Sequence, residues 1–332
     1  MGGSAGQGGI NSGGLAGSGG AAGSGGSGDL LASRPLNVTV TPGLHEHTFL
    51  ASAADPAVSF NDNAQLAKFD NRAATLMGKL VLTFGGAGST AGHLGGQGAF
   101  CTKRGFHVLA IAAFQDYNVG LGDADFYGDA RRQVFEGIEH TKLGDFATIE
   151  MVPADGVAQR TQKALQYLHQ QAPDEDWGYY LQADGSVRWS DVIFTGVSHG
   201  ASNSARFAML VRVSRSVAIA GPRDNSCQDT DPAACGNVLA ATWLEEEPAT
   251  PIERFFALTG TADEQYPQHL FAMDRLGYVG EPAEVIGQQP PYGGSHRLVT
   301  PAVHGDLCGK PEYDAACNYA FGVPPENHAG VP

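Results

Sequence analysis

Residues 191–210 read DVIFTGVSHGASNSARFAML, and very few local structures accommodate such a stretch. The apolar run Val192-Ile193-Phe194 reads as a buried strand, Gly196-Val197-Ser198-His199-Gly200 as a very tight turn, and the remainder as helix. Glycines two residues either side of Ser198 let strand and helix approach without a Cβ clash, while the serine at the tip sits in a strained conformation. Its hydroxyl is pushed out of the sheet edge above a helix N-terminus, where backbone N–H groups face a developing negative charge. The same G-x-S-x-G spacing recurs at Gly2-Gly3-Ser4-Ala5-Gly6, as expected by composition in a chain with 46 glycines, but no strand or helix flanks it. Context separates the two, and only Ser198 has it.

The rest of the pattern points the same way. Buried strands are predicted at 36–40, 79–84, 106–113, 192–195, 216–220, 254–260 and 297–299, with Pro42-Gly43 stopping the first. Helical periodicity covers roughly 127–140 and 156–171, the second placing Val157, Leu165 and Leu168 on one face. Apolar strands alternating with helices predict an α/β fold with a mostly parallel sheet covered on both faces. Residues 1–30 are almost wholly Gly, Ser and Ala and cannot bury enough apolar surface to offset chain entropy, so they read as a flexible tether ahead of a domain at 31–332.

With 20 Lys plus Arg against 35 Asp plus Glu the net charge is −15, and no basic cluster interrupts the excess. Nucleic acid and anionic membrane surfaces are therefore poor partners. No run of eighteen apolar residues is present, nor an apolar signal region behind Met1, whose Gly-Gly-Ser sequel reads as a start placed on a trimmed chain. Cys227 and Cys235 flank one short polar loop and Cys308 and Cys317 another, spacings that suit local disulfides in an exported protein. No C-x-x-C knuckle is present, so structural zinc is not expected, and Cys101 reads as a buried thiol. His45-Glu46-His47 puts two imidazoles on one strand face, a metal-compatible spacing that, without a third ligand nearby, reads as an exposed polar strand.

A serine at such a turn becomes a nucleophile when a base takes its proton, a carboxylate orients that base, and donors meet the oxyanion. Asp263, just past the apolar strand at 254–260, is the favoured carboxylate; as an alternative it caps the helix starting near Pro267. Asp224, after the 216–220 strand, is the rival acid, with Glu264 a weaker one. His304 follows the last apolar strand and is the favoured base, whereas His296 precedes that strand and belongs toward its other end. The amide of His199 is expected to serve as one oxyanion donor, and that of Gly86 or Ala87, in the turn Gly85-Gly86-Ala87-Gly88-Ser89, as the second. A phosphate cradle is the competing use of that turn, but its G-K-[ST] is missing. Tyr117 reads either as a wall of the substrate pocket or as a surface residue; Trp177, Tyr179, Tyr180 and Trp189 read as packing.

In this order, elbow, glycine-rich turn, late aspartate and terminal histidine, residues 36–320 resemble the α/β-hydrolase superfamily, in particular its exported, serine esterase-like bacterial members. The resemblance implies an α/β-hydrolase fold, with about eight mostly parallel strands flanked by helices on both faces, and a Ser198–His304–Asp263 triad acting on esters through an acyl-enzyme, without cofactor or metal. An amidase or peptidase would use the same residues, and a non-catalytic binding domain the same fold. Two features depart from the lipase pattern: Phe84 stands where His-Gly-Gly-Gly has its histidine, and residues 227–251 carry no lid pattern.

Overall fold

The computed structural model describes residues 35–115, 117, 123–228, 238–305 and 307–332. Nine strands among them form one sheet. In chain order the elements are β1 (Leu44–Leu50), α1 (Ala51–Ala54), β2 (Ala64–Asp70), β3 (Leu80–Phe84), α2 (Gly95–Thr102), β4 (His107–Ala110), α3 (Phe126–Glu136) and α4 (Val157–Gln171). There follow β5 (Val192–Val197), α5 (His199–Leu210), β6 (Arg215–Ile219), β7 (Asn225–Cys227), β8 (Val238–Ala240), β9 (Phe255–Gly260), α6 (Tyr266–Leu276), β10 (Ala283–Glu284), β11 (Arg297–Thr300) and α7 (Asp314–Phe321). The sheet order is β1-β2-β4-β3-β5-β6-β9-β11-β10, and a separate hairpin joins β7 to β8. All pairings from β4 to β10 are parallel; β1 with β2 and β2 with β4 are antiparallel.

Alternation along each central strand feeds two cores. Leu80, Leu82 and Phe84 of β3 and Phe194 of β5 point toward α3, α4, α5 and α6, while Val81 and Ile193 point toward α2 and α7. On the larger side Phe84 meets Phe207 edge-to-face with ring centroids 5.2 Å apart, and Phe135 packs 5.0 Å from the same ring. Such pairs add about 0.5–1.5 kcal/mol each beyond area burial. At the far end of the sheet from Ser198, the buried ion pair of Lys79 and Asp191 (2.7 Å) ties the start of β3 to that of β5. This is the α/β-hydrolase-like architecture, with nine strands against the eight expected because the two-residue β10 extends the edge.

One predicted strand is absent. Residues 36–40 are extended but not in the sheet, because their amides are committed elsewhere: Thr39 and Val40 donate to the Asp174 carbonyl (2.8 and 3.2 Å) and Asn37 to the Asp176 carboxylate (2.7 Å). Pro42-Gly43 precedes the first strand instead of ending it. Helix α3 stops at Glu136, four residues short of the expected end, at a left-handed Gly137. The expected tether and the Cys227–Cys235 bridge lie outside the described residues. Cys308 and Cys317 form a disulfide with Cα atoms 5.8 Å apart, and Cys101 is buried outside it.

Candidate active site

Ser198 joins β5 to α5 with φ 58° and ψ −117°, a conformation costly for any residue but glycine. Its amide donates to the Ile219 carbonyl (2.9 Å), locking the turn to the end of β6. The flanking glycines are sterically required. A methyl at Gly196 would overlap the Gly200 carbonyl, and one at Gly200 would overlap the carbonyl oxygens of Phe84 and Gly85. The elbow thus packs directly on the glycine-rich turn that follows β3. Gly86 lies beside the nucleophile position: a Cβ there would sit 3.8 Å from the Ser198 Cβ.

That turn spends two amides on itself and its neighbour: Gly88 donates to the Gln115 carbonyl and Ser89 to that of Gly86, both at 3.2 Å. The amides of Gly86 and Ala87 have no such partner among the described residues, and Ala87 lines a cleft with Ser198. The amide of His199 opens α5 and is one of those a helix leaves without an internal partner. All three amides named from the sequence therefore adjoin the serine. The His199 ring packs 4.5 Å edge-to-face against Tyr117, and both residues line that cleft. Burial, reinforced by the Arg131 charge, depresses its pKa well below that of a free imidazole and keeps it neutral.

Asp263 lies just beyond β9, and its two oxygens do different things. Oδ1 accepts the Gln265 amide at 2.8 Å; Oδ2 faces His304 Nδ1 at 2.6 Å. The N-cap of α6 is Gln265, without a side-chain cap bond, so Asp263 braces the turn ahead of that helix and is not the helix cap that the sequence offered as its alternative. His304 follows β11 and is partly exposed, while Asp263 is buried. The Ser198 hydroxyl makes no hydrogen bond to His304 or to any other described group. His296 sits before β11 with Nδ1 3.2 Å from the Phe255 carbonyl, its ring stacked on Phe256, and burial foremost lowers its pKa to about 4. Asp224 is engaged elsewhere. Its oxygens accept from Arg131 Nε and Nη2 at 2.6 Å each, and Oδ2 also from Trp243 Nε1 at 2.9 Å.

His269 on α6 went unmarked in the sequence. It is fully buried, with Nδ1 2.7 Å from Thr259 Oγ1 and 3.9 Å from Asp263 Oδ2, and its ring lies 6.2 Å from that of His304. Burial above all lowers its pKa to about 4, so it sits neutral behind the Asp263–His304 pair. The only signal available was a position six residues after Asp263, on the helix face turned to β9. Asp263, His269 and His304 together are a three-ligand cluster of metal-binding type, but the Asp263 oxygen involved already serves His304.

Other named residues fall as follows. Tyr117 is a wall of the cleft, not a surface residue, and burial raises its pKa. Trp177, Tyr179 and Tyr180 are core residues. His45 and His47 share β1, but both approach Glu175, at 3.7 and 2.9 Å, and are not a freely exposed polar face. His93, which the sequence left either lining the cleft or solvated, accepts at its carbonyl from Thr83 Oγ1 (2.7 Å).

No family model matches the chain, and no curated protein matches it. Among solved structures, it is similar to FphF, a fluorophosphonate-binding serine hydrolase of Staphylococcus aureus, at 11% identity and a TM-score of 0.45, over 84% of this chain and 99% of that one. It is similar at 12% identity and a TM-score of 0.43 to the S-formylglutathione hydrolase FrmB of the same organism, over 86% and 97% of the two chains. The carboxylesterase EstE1, cloned from a metagenomic library, is 15% identical, with a TM-score of 0.42, over 86% and 92%. Likenesses this distant carry no weight for chemistry, which rests on the geometry above.

Proposed function

We propose that the chain is a serine hydrolase acting on carboxylic esters. Ser198 attacks the carbonyl, His304 takes and returns the proton, and Asp263 holds the imidazole tautomer; the amides of His199 and of Gly86 or Ala87 receive the oxyanion. What supports this reading is a strained serine at the C-terminal end of β5 and an Asp263–His304 pair 2.6 Å apart that follows the C-terminal ends of β9 and β11 in the same sheet. Parallel strands place their C-terminal ends on one edge, where such sheets bind ligands. No metal or cofactor enters these steps. The Cys308–Cys317 disulfide supports an extracytoplasmic location, with residues 1–30 as the tether. No described helix is long and apolar enough to cross a membrane.

A fluorophosphonate probe tests this directly. Covalent labelling that vanishes in Ser198→Ala is expected; a folded wild-type chain that stays unlabelled defeats the proposal and favours a binding domain. A panel of chromogenic esters and anilides then separates esterase from amidase, and the ester is expected to turn over faster.

A further inference from the structure

The cleft beside Ser198 holds about 340 Å³ and is lined by polar and apolar surface in nearly equal measure, with Tyr117 and Tyr127 among its walls. Ser202, Asn225, Ser226 and Gln265 line it, and its aliphatic share among the described residues is two alanines, Ala87 and Ala220. Its apolar surface comes from those alanines and the Tyr117 and Tyr127 rings, with no branched aliphatic side chain among the described residues to line a long acyl chain. Charge in the cleft is uneven. Arg131 and Asp224 form the bidentate pair described above, and the remaining Arg131 nitrogen is spent on Asn203 Oδ1 (2.6 Å), the Tyr117 hydroxyl and the His199 carbonyl (3.3 Å each). That pair is complete.

Arg223 is different. Its main chain is pinned: the amide donates to Ser202 Oγ at 3.0 Å, and the carbonyl accepts from Asn225 Nδ2 at 3.1 Å. Ala220 and Asp224, on either side, both hold φ 51°, a left-handed backbone that non-glycine residues adopt where the surroundings over-determine it. Yet the guanidinium of this half-buried residue has no hydrogen bond or ion pair among the described residues. It is a cation left over beside the nucleophile, in a chain of net charge −15. A planar fork of donors in a small cleft matches one chemistry above others, the two oxygens of a carboxylate.

We propose that Arg223 forms an anion subsite next to Ser198, and that the substrate is a short polar ester bearing a second, free carboxylate group. This rests on the hydrolase reading, which supplies the ester; the subsite supplies the class.

Two matched ester pairs test it. One pair is 4-acetoxybenzoate and its methyl ester, with the charge on the leaving group. The other is the mono-4-nitrophenyl ester of adipate and its methyl-capped form, with the charge on the acyl group. In at least one pair the ratio of kcat/KM for the anionic over the capped ester should fall about 10- to 100-fold in Arg223→Gln, the worth of a charge-assisted hydrogen bond. Arg223→Lys, which keeps the charge but not the fork, should retain part of the ratio. Unchanged ratios in both pairs overturn the subsite. Calorimetric binding of 4-acetoxybenzoate to Ser198→Ala, with and without Arg223→Gln, reads the subsite without turnover; binding that ignores Arg223 also overturns it. Failure of the hydrolase reading shows separately, as a wild type that no fluorophosphonate labels.

Discussion

Two histidines near the carboxyl end differ in little but position, and their surroundings differ. His304 is partly exposed, with Asp263 on Nδ1 and its other nitrogen free to meet a hydroxyl. His296 is stacked on Phe256 and kept neutral chiefly by burial. His304→Ala is therefore expected to lower kcat by about 10²–10⁴-fold, the usual worth of a general base, while His296→Ala leaves kcat within a few-fold. Steady-state kinetics on one chromogenic ester decides between them, and the reverse pattern would make His296 the base. Their placement was legible in the sequence: one histidine precedes β11 and the other follows it. His269 was not: nothing in its spacing tells a core imidazole from a surface one. Only the docking of α6 against β9 brings it to 3.9 Å from Asp263.

Among the elements, β5, α5 and the turn after β3 act as one unit. Their contact is backbone against backbone, so there is no side chain to move aside. Gly200→Ala should cost about 3 kcal/mol, the upper end of overpacking penalties, since its methyl would meet the carbonyls of Phe84 and Gly85. Urea unfolding followed by circular dichroism measures it; a loss under about 0.5 kcal/mol, an ordinary surface value, would mean that the elbow is not rigid. The central strands were readable because each is a short apolar run. Of the outer pair, β1 was read only at His45–His47 and β2 was missed, since LHEHTFL and AQLAKFD mix polar and apolar residues in step with one half-buried face. The 36–40 segment misled for the opposite reason: its β-branched residues suit a strand, but its amides bond to the segment after α4.

Across the molecule, several histidines are buried neutral, and this gives stability a pH dependence of definite sign. His107 takes hydrogen bonds at both nitrogens, Nε2 to the Glu175 carbonyl (2.8 Å) and Nδ1 to the Tyr180 hydroxyl (2.9 Å), and burial lowers its pKa to about 4 from 6.5. His269 and His296 are lowered, again mainly by burial, to about 4 as well. Between those values the unfolded chain binds more protons than the folded one, so stability is full above pH 6.5 and is lost as pH falls toward 4. Urea midpoints measured from pH 4 to 8 should rise to about 6.5 and then level off, with a shallower rise in His107→Gln. A flat profile would mean that these rings are solvated.

The elbow, the parallel alternation of strand and helix, and the order of serine, aspartate and histidine are all local or near-local signals. They depend on which residues can make a tight turn, a buried strand or a cap, and a linear chain carries that information. What the chain could not disclose is which charges neutralise each other across it. Arg131 and Asp224 are 93 positions apart, and Arg223 is next to that aspartate, yet it is the distant arginine that claims it. Such choices come from three-dimensional packing, because ion pairs form between whichever groups the sheet and helices deliver to the same buried volume. From that same packing follow the neutrality of His269, the engagement of Asp224 and the unpaired Arg223 in the cleft that Ser198 also lines.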